Sequence, residues 1–229
     1  MALLGIDVST HNKYIDWSTV KKRIDFAIIR AGYGSNHIDA CAIQNAKGCI
    51  ENKIPFGLYW FSYALSVEDA IKEADYVCDF ADIYTPVYPI AYDWEYDSDN
   101  YAKLSGKNIT NTLRRQMATA FLNRVRERGY KPMLYTNADY IEYKGFNNIP
   151  VDHYTWLASW TATRPTKYKH DFWQYSAKGN VEGINTDVDM NYCYLDATDV
   201  FATTEETKEK IDTASFIKEF KELYSKYFG

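Results

Sequence analysis

Few of the 229 residues suit metal, redox or covalent chemistry: there are four cysteines and four histidines, with no CxxC and no HExxH spacing. That argues against a zinc site or a dithiol redox motif. Cys41, Cys49, Cys78 and Cys193 therefore read as free thiols. Cys41 and Cys49 fall on one expected helix, about 12 Å apart at 1.5 Å per residue, too far to bridge. Ser9 and Ser62 lack the glycine context of a nucleophile elbow. Lys and Arg number 26 against 31 Asp and Glu, a net charge of −5 with no basic stripe, so a nucleic-acid partner is not expected. No apolar run is long enough for a membrane span, and the opening MALLGIDVSTHNKYIDW has no cationic leader. The expectation is a soluble chain made in the cytoplasm without a signal peptide.

What is abundant is aromatic. There are 21 Tyr and 6 Trp, rings that suit a core with polar tips and equally a cleft that stacks sugars. With 46% hydrophobic residues the chain can bury one sizeable core, which sets a single main domain as the default.

Apolar runs alternate with helical-period segments: LLGIDVS and DWSTVKKRI, FAIIRAGYG and CAIQNAKGCIENK, PFGLYWFSYA and SVEDAIKEADYVCDFAD, YPIAYDWEY and NITNTLRRQMATAFLNRVRERG. Ser66 with Asp69 makes a capping pattern, Asn108 or Thr110 can cap the fourth helix, and Gly129 can end it before Pro132. From KPMLYTN onward the segments YTWLASW, DFWQYS and DVDMNYC are strand-like with turn-rich connections. Repeated βα units imply parallel strands, and about eight strands in one domain imply a TIM-like barrel closed partly by short strands. Chemistry in such a barrel sits at the carboxyl ends of the strands, where Asp7, Asp93, Glu95 and Asp189 would converge.

Asp93 and Glu95 stand two apart inside YPIAYDWEY, so strand parity puts both on one face with Tyr92 and Trp94 on the other. Buried carboxylates cost several kcal/mol each unless paired, protonated or facing a wet cleft. The structural alternative is an acid pair bonded to Arg or Lys. The functional reading is glycosidic hydrolysis, which needs a proton for the leaving oxygen and negative charge near the anomeric carbon. Glu95 is the better acid, with the longer reach and neighbouring acids to raise its pKa. Their α-carbons would lie roughly 6.5–7 Å apart at strand rise, which leaves retention and inversion both open. A substrate with a 2-acetamido group can also supply its own nucleophile, with Asp93 orienting the amide.

In order and spacing, GIDVSTHNKYIDW, the central YDWE, YTN after KPML, WLASW, WQYS and the closing DVDMN resemble glycoside hydrolase family 25, the Chalaropsis-type lysozymes of phage endolysins and bacterial autolysins. The resemblance runs from about Leu3 to about Leu195. It implies an α/β fold, an irregular (β/α)5β3 TIM-like barrel, and cleavage of the β-1,4 bond after N-acetylmuramic acid in bacterial peptidoglycan. Carried over residue by residue, it puts the proton donor on Glu95, its partner on Asp93, the first-strand acid on Asp7 and the last acid on Asp189. Asp187 shares a strand face with Asp189 and rivals it; the match to VD-x-N favours Asp189. No cofactor or metal is implied. RAGYG and YWFSYA depart from the family's commoner pattern, which bears on subsites and leaves the acid set intact. Without a leader, such an enzyme would meet the wall after a holin-type membrane lesion or by export, which favours an endolysin.

Tyr33, Tyr63, Tyr135 and Trp160 near strand ends are the expected sugar platforms, each with a competing core reading. Gln174 is expected to bond sugar hydroxyls or to satisfy backbone, while Trp173 and Tyr175 read as packing. Residues 1–200 form the expected catalytic domain and 201–229 a helical tail or linker. The tail carries Phe216, Phe220, Leu223 and Tyr227 at helical spacing, suited to docking on the barrel, to self-association or to leading into a wall-binding module. Three other functions compete. Family 18 chitinases also carry a DxE but extend it as DxxDxDxE, where this chain has Tyr88, Ile90 and Tyr92. A metal-dependent hydrolase would use the acids as ligands, and a glycan-binding module would have no need of both acids.

Overall fold

The computed structural model describes residues 2–195. The expected tail helix, the 201–229 boundary and any self-association through that segment lie outside the described residues. Eight strands close a barrel: β1 (Leu3–Val8), β2 (Phe26–Tyr33), β4 (Phe56–Phe61), β5 (Ile90–Asp93), β6 (Pro132–Asn137), β7 (Tyr154–Ala158), β8 (Phe172–Gly179) and β9 (Val188–Cys193). The short β3 (His37–Ile38) pairs antiparallel with β2 outside that ring. Neighbours run β1-β9-β8-β7-β6-β5-β4-β2, and β1 pairs with β2 to close the ring. All pairings in the ring are parallel except those of β9, which is antiparallel to both β8 and β1. The helices are α1 (Trp17–Val20), α2 (Ala42–Glu51), α3 (Val67–Tyr84), α4 (Tyr96–Leu104), α5 (Asn111–Glu127) and α6 (Ala138–Tyr143). The result is an irregular TIM-like α/β barrel of five βα units followed by three further strands. No helix among the described residues is long and apolar enough to cross a membrane.

Period-two patterning explains why the barrel has two cores. Ile28, Tyr59, Ala91, Met133, Trp156 and Phe172 point inward, and the alternate residues Ile29, Leu58, Ile90 and Leu134 pack outward against the helices. Inside, Phe26 stacks on Tyr88 with ring centroids 5.0 Å apart. Gly5 makes room for that ring, because a Cβ there would sit 2.4 Å from the Phe26 side chain. Outside, α3 and α5 are tied by Arg128, which bonds Asp75, Asp79 and Asp82.

The expected caps are present. Ser66 accepts from the Asp69 amide, Thr110 accepts from Leu113, and Gly129 takes a positive φ just past α5. Two local expectations change. The helix after β1 is a single turn, begun by Asp16 accepting from the Ser18 and Thr19 amides. The fourth strand stops at Asp93, and Glu95 is the N-cap of α4, a helix without the expected apolar period. Asp93 and Glu95 therefore do not share a strand face; a turn out of β5 separates them. α4 forms despite its polar sequence because Asp99 gathers Trp94 Nε1 at 3.1 Å, Arg114 at 2.6 Å and the Tyr140 hydroxyl at 2.8 Å.

Candidate active site

Because every parallel strand ends at the same rim, the inward side chains at those ends meet in one cleft of about 300 Å³. Asp7, Asp93, Glu95, Asp187 and Asp189 line it, with Arg30, His11, Tyr59, Phe61, Tyr135, Trp156 and Gln174. Asp7 and Asp93 are buried, Glu95 and Asp189 half-buried, and Asp187 exposed.

Among the acids lining the cleft, Asp7 is the one held by two side-chain donors. Its Oδ2 accepts from Gln174 Nε2 at 3.0 Å and from Asn191 Nδ2 at 2.8 Å. Burial, and then the charge of Asp189, hold its carboxyl well above the usual carboxylate range. Burial also raises Asp189, opposed by its hydrogen bond with Asp7 and by His11. Both carboxyls are thus held above the usual range by burial, and the two titrate together.

Asp93 is raised well above the usual range by burial, then by the charges of Glu95 and Asp7. Its Oδ1 is buried without a hydrogen-bond partner. Burial, followed by the charges of Asp189 and Asp97, pushes Glu95 up to about 7. The Glu95 backbone is held by Ser98, whose Oγ accepts from its amide at 3.1 Å. A carboxyl titrating near neutrality beside other acids in a cleft is suited to proton transfer.

The expected platforms separate into two groups. Tyr135 lies on the cleft floor, its ring 4.7 Å from Trp156 and its hydroxyl donating to Gln174 Oε1 at 3.0 Å. Trp160 stands on the rim, 67% exposed, with its Nε1 donating to the same Gln174 oxygen at 3.3 Å. Tyr33 and Tyr63 lie on the rim beside Arg30 and Phe61. Gln174 spends its amide on Asp7, Tyr135 and Trp160. Trp173 is buried and donates to the Ser159 carbonyl.

Sequence reasoning passed over Arg30 and Asn191. Arg30 follows Phe26 and Ile28 at the same strand parity and pairs with buried Asp39 at 2.7 Å. Asn191 stands two residues after Asp189 and bridges Asp7 to Trp156, whose Nε1 donates to its Oδ1 at 2.8 Å. Parity carried both signals. Among the described residues no group of three or more His, Cys, Asp and Glu side chains is arranged to hold a metal ion.

Carboxyls clustered at the carboxyl end of an irregular α/β barrel, one of them poised near neutral pH, define a glycosidase-like site. The profile of glycosyl hydrolases family 25 matches residues 6–184. The chain belongs to that family, and is a glycoside hydrolase of the lysozyme type. It is 32% identical over 200 residues to the uncharacterized protein YegX of Escherichia coli O6:H1, covering 82% of this chain and 68% of YegX. The bacterial lysozyme of Streptomyces coelicolor superposes with a TM-score of 0.74 at 28% identity, covering 90% of this chain and 98% of that one. The autolysin LytC of Streptococcus pneumoniae, solved with a synthetic peptidoglycan ligand, has a TM-score of 0.72 at 25% identity over 84% of this chain. This chain spans about half of LytC, 47% of its length.

Proposed function

We propose that the protein is an N-acetylmuramidase that cleaves the β-1,4 bond between N-acetylmuramic acid and N-acetylglucosamine in bacterial peptidoglycan. The observation that carries this reading is Glu95, raised to about 7 in a cleft of acids on a family 25 barrel. Protonated Glu95 donates to the glycosidic oxygen as the bond breaks. Asp93, lining the same cleft, orients the 2-acetamido group so that its carbonyl oxygen closes on the anomeric carbon as the glycosidic bond breaks, and water then opens the ring so formed. Asp7 and Asp189, sharing one proton, face the charge that develops on the sugar ring. The peptidoglycan ligand of LytC and the lysozyme identity of the Streptomyces coelicolor relative support the substrate class.

The test is analysis of the new reducing ends after digestion of purified peptidoglycan and borohydride reduction. Muramitol is expected. Glucosaminitol would replace the reading with a glucosaminidase, and cleavage of chitin without cleavage of peptidoglycan would replace it with a chitinase-like enzyme.

A further inference from the structure

Beyond the acids, the rim of the cleft carries an organised group of rings from three separate elements. Tyr33 ends β2, Tyr63 follows β4, and Tyr101 lies on α4. Tyr63 is the centre of the group. Its ring stands perpendicular to Tyr33 at 6.4 Å, and packs against Tyr101 at 4.7 Å and Phe61 at 5.2 Å. Its hydroxyl donates to Asp97 at 2.9 Å, and its amide donates to buried Glu73 at 2.9 Å. Tyr33 is backed by His37, stacked at 5.2 Å and 7°. The rings are therefore fixed, yet Tyr33 is 36% and Tyr101 43% exposed. Rigid, half-exposed aromatic faces next to a carboxylate fit the apolar face and hydroxyl edge of a pyranose.

The barrel topology gives this corner a direction. In the ring of eight strands, β2 is four places from β7, and β4 is four places from β8. The tyrosine corner on β2 and β4 is thus across the mouth from Trp160, which follows β7 and bonds Gln174 of β8. One arc between these two rims carries β5 with Asp93 and Glu95; the other carries β1 and β9 with Asp7 and Asp189.

We propose that Tyr33, Tyr63, Tyr101 and Asp97 form a distal sugar subsite, from which a β-1,4-linked amino-sugar strand crosses between the two acid pairs to Trp160. The proposal rests on the glycosidase reading of the same cleft. The exposed ring of Tyr101 stacks the sugar, Tyr33, held between His37 and Arg30, borders it, and Asp97, already fixed by the Tyr63 hydroxyl, accepts from a sugar hydroxyl or amide. A sugar bound there lies outside the two acid pairs and does not itself carry the broken bond. The subsite accordingly favours long strands over short ones and tightens binding more than it speeds the chemical step.

The experiment uses the full chain carrying Glu95→Gln, to prevent turnover, with and without Tyr101→Ala. Titration calorimetry with chitooligosaccharides of two to eight sugars, and with peptidoglycan glycan strands freed of their peptides, reads affinity against length. Tyr143, 69% exposed on α6, supplies the control substitution Tyr143→Ala. Affinity should rise with length, and Tyr101→Ala should remove about tenfold from the longest ligands and much less from the shortest. Asp97→Asn should show the same length dependence. Equal losses at every length, no loss at any length, or a matching loss with Tyr143→Ala would overturn the subsite. Binding is read without cleavage, so a wild-type enzyme that fails to release muramitol would sink the muramidase reading while leaving this result to stand or fall alone.

Discussion

Asp7 and Asp189 are direct partners across the antiparallel β1–β9 pair, the register setting Asp7 opposite Asp189 at the mouth of the barrel. Two acids opposed in this way cannot both ionise cheaply, so they titrate as a unit that shares a proton. Their remaining charge reaches Glu95, where Asp189 is the largest raising influence after burial.

Glu95→Gln keeps the size of the side chain and removes its transferable proton. Turnover on peptidoglycan should fall at least about 100-fold, the lower end for general acid catalysis. Thermal melting should stay close to that of the wild type. A variant that clears cell walls at near wild-type rate would reassign the acid.

The acid must be protonated to act, so kcat/KM should decline as pH rises through the Glu95 value of about 7. Asp189→Asn removes a like charge that raises Glu95. The alkaline limb of the pH profile should therefore move to lower pH, whatever the overall loss of rate. A limb that stays in place, or moves up, would contradict this coupling. The measurement is kcat/KM on soluble glycan strands across pH 5 to 9.

Asn191 is fully buried and serves two partners, donating to Asp7 and accepting from Trp156 Nε1. Asn191→Leu strands a buried indole N–H and deprives Asp7 of a donor. The expected loss is about 1–3 kcal/mol, read as a lower Tm at roughly 2–4 °C per kcal/mol for a chain of this size. An unchanged Tm would mean that the bridge contributes nothing to stability.

Glu73 on α3 is 2% exposed, and burial pushes its carboxyl up to about 8. Its folded pKa lies above the unfolded value, so the native state holds the proton more tightly. That contribution is complete below about pH 4.5, the ordinary glutamate range, and is lost as pH rises through about 8. Glu73→Gln can still accept from the Tyr63 amide without that proton linkage. Between pH 5 and 9 the fall of Tm with pH should be shallower in the variant; parallel curves would show that Glu73 is not the group responsible.

Much of the architecture was legible in local pattern. Alternation of apolar residues marked the strands, helical periodicity marked α2, α3 and α5, and cap residues such as Ser66 and Thr110 marked their starts. Strand ends in a parallel barrel share one rim, which brings Asp7 and Asp93 together; Asp189 stands at the amino end of β9 and joins them because that strand runs antiparallel to β1 and β8. α4 escaped because YDSDNYAKL has no apolar stripe; its helix depends on Asp99 meeting Arg114 and Tyr140, residues brought in from α5 and α6.

The sequence by itself determined the order of the ring strands and of α2, α3 and α5, the inward parity of Asp7 and Asp93, and the family motifs, because each is a local property of spacing and residue type. Tertiary structure alone decided the partners. Closure of the ring joins Asp7 to Gln174 and Asn191, 167 and 184 residues away. The end of β5 at Asp93 turned Glu95 into a helix cap, and the same α4 carried Asp97 and Tyr101 to the rim beside Tyr63. Burial and neighbouring charge then set which carboxyl holds its proton near neutral pH, and both depend on distances between residues that the chain brings together only when the barrel closes.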